Sequence, residues 1–426
     1  MVKKIKKLKN IKDVILLAKK LYMLRRHAVT EDTTKAIGIL KNYLNFNVIK
    51  IKSGTKCWDW IVPKKWDFIS AEILFNGKKI FNGKEHVMAI QPYCDSFKGK
   101  LSLNNLKKHI VFNKKRPKTF AYDCRLAYRY PFEKNWLISM PYEKIKKLKD
   151  GIYDVNIKTK FSDGVMEIPE FTIEGKSRKK IILLSELCHP GQADDGIIGV
   201  CLWIKIIQEL SKKNKLNYTY TFYAPTETIG SIVWLWKMKS SIKNIKMGIF
   251  LESIGNKSNL KCKLSHKENH QIDKIVKYIF SKDKTINFSE GVMNDELVFA
   301  DSDFDIPMIS LQRFPYPEYH TSDDNIEAIS EKSLLESYDY ITKIINMIET
   351  NYIPCKKIKG PFYLSKHRLY KEIDVKLDYW KNWHLMNSFD KKSSIIDIAD
   401  LLEIDYWEAY ENIESFRKAG LIKKLY

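Results

Sequence analysis

From residue 179 onward the chain alternates two kinds of apolar pattern, and this alternation narrows the fold more than any other feature. Short runs with strand character, KKIILLSEL, NYTYTFYAP, KMGIFLES and IPMISLQR, are separated by longer stretches with helical spacing, VCLWIKIIQELSKK, SIVWLWKMKSS and HQIDKIVKYIFSK. A closing helix is expected at about 330 to 350. Strand and helix in strict turn point to an α/β domain with a largely parallel sheet, because parallel neighbours need a crossover that a helix supplies.

The first part of the chain reads differently. MVKKIKKLKNIKDVILLAKKLYMLRR places Leu8, Ile11 and Ile15 on one stripe and Val14, Leu17, Leu21 and Leu24 beside it, the pattern of a first globular helix. From about 48 to 120 the runs are short and alternating (FNVIKIKS, CWDWIVP, SAEILFNGKKIF, EHVMAIQPY) and are broken by Asn76-Gly77 and Asn82-Gly83. That texture predicts a small β-rich module with Trp58, Trp60 and Trp66 as its anchors. NKKRPK at 113 to 118 reads as an exposed connection, and NWLISMP and GIYDVNIKTKF as further strands. Another polar break, YIPCKKIKGP, sets off a C-terminal piece from about 365.

Charge and cysteine content exclude several classes. The formal net charge is +23, yet only nine of the 74 basic residues are arginine, the better fork for phosphate and base edges. The lysines are spread over the whole chain, so they read as a solvated surface and argue against a nucleic-acid partner. Seven cysteines without a CxxC pair indicate neither a disulfide framework nor a zinc ribbon, and the expected location is a reducing cytoplasm. The longest apolar run of the N-terminus, VILLA, is too short for a signal peptide or a membrane span. Motifs of nucleotide binding and of serine hydrolysis are absent.

In open α/β sheets ligands collect at the carboxyl ends of the strands. That rule picks out His189 and Asp195 after the first strand, Glu227 after the second, Glu252 ending the third and His320 after the fourth. Two imidazoles and several carboxylates at one edge make a site of nitrogen and oxygen donors that suits zinc. Glycines at 191 and 196 let the chain reverse so that His189 and Asp195 can face one ion. Asp194 reads instead as a helix cap, as do Thr226 or Thr228, Asp323 and Asp324. With an open coordination position, zinc acidifies bound water, and Glu227 is the expected general base.

The order CHPGQADDGIIG, PTETIGS, FLESIG and YHTSDDN resembles the zinc aminopeptidases with paired metal ions. IKSGTKCWDWIVPKKW, LAYRYPFEKNWLISMPYE and PEYHTSDDN resemble a subgroup of bacterial aminopeptidase-like proteins. The resemblance implies an α/β fold: a mixed sheet flanked by helices, with an inserted small β domain and a C-terminal winged helix. The catalytic domain is expected at 1–47 and 120–355, the insert at 48–119 and the winged helix at 365–426.

Carried over residue by residue, the resemblance implies that His189 and Glu252 bind one zinc, Asp195 bridges two, His320 binds the second, and Glu227 is the base. Asp295 and Glu296, and Arg313, Tyr316 and Tyr319, are implied substrate contacts. Two positions depart from the family pattern. Gly191 stands where an aspartate orients the first histidine, and Thr228 where a second glutamate binds metal, so one firmly held zinc is expected.

The C-terminal pattern SSIIDIADLLEI, then DYWEAYENIESFRKAGLIKKLY, has a helix-turn-helix layout with Ile395, Ile398, Leu401, Ile413 and Phe416 as core. Asp405, Glu408, Glu411 and Glu414 would repel phosphates, so a packing or protein-interaction role is expected. The expected function is metal-dependent hydrolysis of an amide bond in a small peptide or an acylated amine, for instance an acylated amino sugar in a surface-glycan pathway. The rival is a non-catalytic scaffold with a degenerate site. A homo-oligomer is left open by the sequence.

Overall fold

The computed structural model describes residues 5–213, 215–369 and 383–426. Its main sheet has eight strands in the spatial order Asn47–Lys52, Val165–Ile173, Thr219–Tyr223, Lys180–Leu184, Ile245–Glu252, Met308–Arg313, Leu260–Lys263 and Thr285–Ile286. The four central strands run parallel. Outside them Val165–Ile173, Asn47–Lys52 and Leu260–Lys263 pair antiparallel with their inner neighbours, while the edge strand Thr285–Ile286 pairs parallel with Leu260–Lys263, so the sheet is mixed.

Period-two alternation divides the central strands between two cores. Ile181 and Leu183 face one core, which also takes the helices Ile11–Lys19, Ile197–Leu210, Gln271–Ile279 and Glu331–Thr350. Ile182 and Leu184 face the other, shared with the helix Ile229–Met238 and the small sheet. Burial on both faces explains why these strands read as continuous apolar runs.

The small sheet has four antiparallel strands in the order Lys78–Asn82, Lys65–Phe75, Ile152–Ser162 and Phe97–Ser102. Asn76 and Gly77 both have positive φ in the turn between the first two, as a tight hairpin requires. The expected limits of 48 and 119 do not match this pairing. Asn47–Lys52 belongs to the main sheet, while Ile152–Ser162 pairs with Lys65–Phe75 along its whole length. Of the three expected tryptophan anchors only Trp66 is buried. Trp58 is exposed and packs on Phe304, and Trp60 is half-buried.

At the C-terminus, helices Ile395–Leu402 and Tyr406–Lys418 lead into strand Ile422–Leu425, which pairs antiparallel with Ile353–Lys356. Ile395, Ile398, Ile413 and Phe416 are buried as expected, but Leu401 is 68% exposed. The expected winged-helix span 365–426 includes residues 370–382, which lie outside the described residues. Its acidic row is not a free face: Glu414 is buried and bonded to Tyr352, Arg417 and Lys424, and Asp405 caps the second helix and accepts from Tyr278. No described helix is long and apolar enough to cross a membrane.

Candidate metal centre

The ends of the four parallel strands open onto one edge, since Leu184 is level with Tyr223 and Phe250, and Glu252 with Gln312. The loops leaving that edge bring His189, Asp195 and His320 together: one donor atom from each lies within 4.8 Å of the others. His189 Nδ1 is 3.6 Å from Asp195 Oδ1, and His320 Nε2 is 3.5 Å from Asp195 Oδ2. Glu252 is the neighbouring charge that acts most strongly on Asp195. Glu227 Oε2 lies 3.3 Å from His189 Nε2 on the open side.

Positive φ is rare for residues with a side chain and costs on the order of 1–3 kcal/mol. It occurs at His189 and His320, at Thr228 directly after Glu227, and at Ser253 directly after Glu252. All four loops of this edge are thus held in unusual backbone conformations next to their candidate side chains. Gly191 and Gly196 also have positive φ, and a Cβ on Gly196 would sit 2.7 Å from the Glu186 carbonyl.

The carboxylates here are unlike those elsewhere. Among the described residues, both oxygens of Asp195, both of Glu252, Glu186 Oε1 and His320 Nε2 are buried with no hydrogen-bond partner, Asn294 standing beside Glu252 out of bonding geometry. Burial, then the charge of Glu252, raises the Asp195 carboxyl well above the usual range. Burial followed by Glu296 does the same to Glu252. For His320, burial and then His189 lower its pKa to about 3. Buried polar atoms are nearly always paired, so unpaired acceptors clustered with two imidazoles, and with no donor among the described residues to satisfy them, fit a cation. Imidazole nitrogens with carboxylate oxygens make the set suited to zinc.

Several expected caps do other work. Asp194 does not cap helix Ile197–Leu210, whose first residue follows Gly196. Its carboxylate accepts from Gly255 N (2.6 Å), Asn256 N (3.0 Å) and Asn256 Nδ2 (2.7 Å), which fixes the loop after Glu252. Asp324 is no cap either: it accepts from the amides of Ala193, Asp194 and Asp195 at 3.2, 2.7 and 3.0 Å, and so ties the His320 loop to the His189 loop. Asp323 pairs with Arg116, which also binds Glu318 and the Pro317 carbonyl. NKKRPK is therefore a clamp on the loop that carries His320. At the start of helix Ile229–Met238, Thr228 makes no side-chain cap. Asp295, from another loop, accepts instead from its amide at 3.0 Å.

The expected substrate contacts divide. Tyr319 stacks on His320 with ring centroids 3.9 Å apart and lies at the site. Arg313 is buried and turned away: its guanidinium donates to the carbonyls of Ile254, Ser258 and Ser333 and to Glu336, which leaves nothing for a substrate carboxylate. Asp295 is fully buried, with burial raising its carboxyl to about 7. Glu296 is equally buried and pairs with Lys263 Nζ at 2.7 Å. Tyr316 is also buried. None of these four presents itself to solvent.

Four residues near the centre escaped the sequence reading. Arg26 is completely buried and donates to the carbonyls of Leu187, Cys188, His189 and Gln192, holding the first loop from beneath. Tyr122 sets its ring edge-on against both His189 and His320, at 5.4 and 5.1 Å. Glu186 Oε2 stands 3.4 Å from His189 Nδ1, a carboxylate beside the histidine in place of the one lost at Gly191. Cys188 Sγ accepts from Glu227 N at 3.3 Å, and with Glu186, His189 and Glu227 it forms a second possible donor set that shares His189. The only signals were the RRH triplet and the residues flanking His189.

This sheet, with its strand-end histidines and carboxylates and its small β insertion, defines the zinc-aminopeptidase type of fold. The model of the family described as "Domain of unknown function (DUF4910)" matches residues 16–351, and the chain belongs to that family. It is 29% identical over 403 residues to a Clostridium acetobutylicum protein described as "Putative polysaccharide biosynthesis protein with aminopeptidase-like domain", covering 91% of this chain and 90% of the relative. A crystal structure of a "putative peptidase" from Clostridium acetobutylicum superposes with a TM-score of 0.82 at 25% identity, over 97% of this chain and 96% of that one. BSAP, a zinc aminopeptidase from Bacillus subtilis, superposes with a TM-score of 0.56 at 13% identity, over 80% of this chain and 96% of that one. At that identity the likeness is one of fold.

Proposed function

We propose that the protein is a metal-dependent hydrolase of amide bonds. The observation that carries this reading is a set of buried donors without hydrogen-bond partners among the described residues: Asp195 and His320 Nε2, gathered with His189 at the strand ends, and Glu252, whose charge acts on Asp195. His189, Asp195, Glu252 and His320 would hold the cation. Bound there, zinc supplies a Lewis acid and a water acidified to near neutral pH.

The rest of the chemistry belongs to the chain. Burial by itself would raise the Glu227 carboxyl, but hydrogen bonds from His189 and Tyr128 and the charge of His189 keep it below its ordinary value. It is therefore ionised at neutral pH and able to accept a proton from the attacking water and return it to the leaving amine. Tyr122 and Tyr319 pack the two histidines and restrict their rotation. Arg26, Asp194 and Asp324 hold the three loops in register, so the donors need little rearrangement.

The substrate is a peptide with a free amine or an acylated amine, and the name of the Clostridium relative supports an acylated amino sugar. Amino-acid anilides and N-acetyl amino sugars assayed side by side with added zinc separate the two. Glu227→Gln should lower kcat by about 10²- to 10⁴-fold with metal content unchanged. Release from neither substrate, together with no metal bound, would instead favour a non-catalytic scaffold, the reading that Thr228 and Gly191 support.

A further inference from the structure

A cavity of about 270 Å³ lies beside Glu227, between the sheet edge and the inserted region. Trp60 of the hairpin Lys56–Ile61, with Tyr93, Tyr128, Tyr130 and Phe132, lines it. Two of these walls are braced by rings outside the cavity. Tyr130 stacks on Phe161 with ring centroids 5.0 Å apart, and Trp58, in the same hairpin as Trp60, packs on Phe304 at 5.3 Å.

Charge sets this cavity apart from the rest of the molecule. The chain has 74 lysines and arginines, yet none is among the described residues that line the cavity, whose charged members are Asp59 and Glu227. His27 also lines it but is uncharged at neutral pH, because burial and then the charge of His189 lower its pKa to about 3. Glu227 is already engaged by His189 and Tyr128. Asp59 is not: it is exposed, and among the described residues its carboxylate has no hydrogen bond and no ion pair. An anionic ligand would therefore meet two acids with no counter-charge, and an uncharged one would leave Asp59 unmatched. A positive charge on an apolar stem satisfies both features, since aromatic rings attract cations to their negative faces and Asp59 supplies the opposite charge.

We propose that this cavity takes a positively charged group of the substrate, an alkylammonium or alkylguanidinium separate from the bond that is cut, with Asp59 as its counter-ion and Trp60 as an aromatic wall. Calling this ligand part of the substrate rests on the hydrolase reading. Binding of the cation does not, so a failure to hydrolyse any amide leaves the subsite standing.

Ligand-observed NMR titrations of chelator-treated full-length protein at neutral pH test the assignment, chelation ensuring that an amine finds no metal to bind. The probes are n-butylammonium and n-butylguanidinium, with 1-butanol as the uncharged counterpart and butyrate as the anionic one. At least one cation should bind, about ten-fold or more tighter than butanol, with butyrate weaker still, and the tighter of the two cations identifies the head group. Trp60→Ala should weaken that cation about five-fold. Asp59→Asn should weaken it about three-fold and Asp59→Lys about ten-fold or more, with an unchanged circular dichroism spectrum because the side chain is exposed. Binding of neither cation, butanol or butyrate binding as tightly as the cation, or a cation indifferent to Asp59→Lys or to Trp60→Ala would overturn the proposal.

Discussion

The strand-end edge and the C-terminal helices are both rich in acidic side chains, but they treat them in opposite ways. In helices Ile395–Leu402 and Tyr406–Lys418 the acids are satisfied: Ser394 and Asp397 form a reciprocal capping box, Asp405 caps the next helix, and Glu414 is bonded three times. At the sheet edge no oxygen of Asp195 or Glu252 has a hydrogen-bond partner among the described residues. Adjacent residues show the same contrast, since Asp194 accepts three hydrogen bonds and Asp195 accepts none. Acids that satisfy their neighbours hold the fold together. Buried acids left unsatisfied lower stability unless a ligand compensates, and their clustering marks the place where function is expected.

Substitution of the two neighbours breaks this comparison most sharply. Asp195→Asn should weaken zinc retention by at least about 100-fold, by analogy with the 10- to 100-fold measured for residues that only support ligands, while the metal-free protein keeps or gains stability. Asp194→Asn should do the reverse in part, lowering the stability of the metal-free protein by about 2–3 kcal/mol through lost charge-assisted hydrogen bonds. Metal analysis after dialysis and urea unfolding of both variants check the pair.

The next effect concerns the support beneath the edge. Arg26→Met leaves at least four carbonyls of the His189 loop without their donor, and a loss of roughly 3–5 kcal/mol is expected, read from the urea midpoint. A loss below about 1 kcal/mol would mean that the loop holds its shape without the clamp.

Acid sensitivity should also separate the regions. Burial, then the charge of His189, lowers His27 to about 3, against 6.5 in the unfolded chain. The unfolded state therefore binds the extra proton between those values, so the stability tied to a neutral His27 is complete above pH 6.5 and falls as the pH drops toward 3. His27→Phe should make the stability profile shallower in that window by up to about 1.4 kcal/mol per pH unit, measured by urea unfolding of metal-free protein. The smallest effect belongs to the C-terminal region: Ser394→Ala should cost about 1 kcal/mol and leave metal retention unchanged.

What could be read in advance follows the same division. The alternation from residue 179 and the strand-end positions of His189, Glu227, Glu252 and His320 were legible because hydrophobic period and strand ends are local properties. Asp194 and Asp324 were read as caps because local chemistry allows it, whereas their partners lie 61 and 130 residues away. Nothing near Arg26 in the sequence marks its role, because the His189-loop carbonyls it clamps are more than 160 residues distant. The small sheet misled for the same reason, since Lys65–Phe75 finds its long partner at Ile152–Ser162 rather than within the nearby alternating runs. The resemblance implies Arg313 as a substrate contact, and only the fold shows that its donors turn inward.

Crystals grown with zinc and measured on both sides of its absorption edge would test the central claim most directly. The expected result is an anomalous peak within coordination distance of His189, Asp195, Glu252 and His320, absent in Asp195→Asn. Crystals of the same quality with no peak among those side chains, or with Asp195 and Glu252 found bonded to protein donors instead, would contradict it.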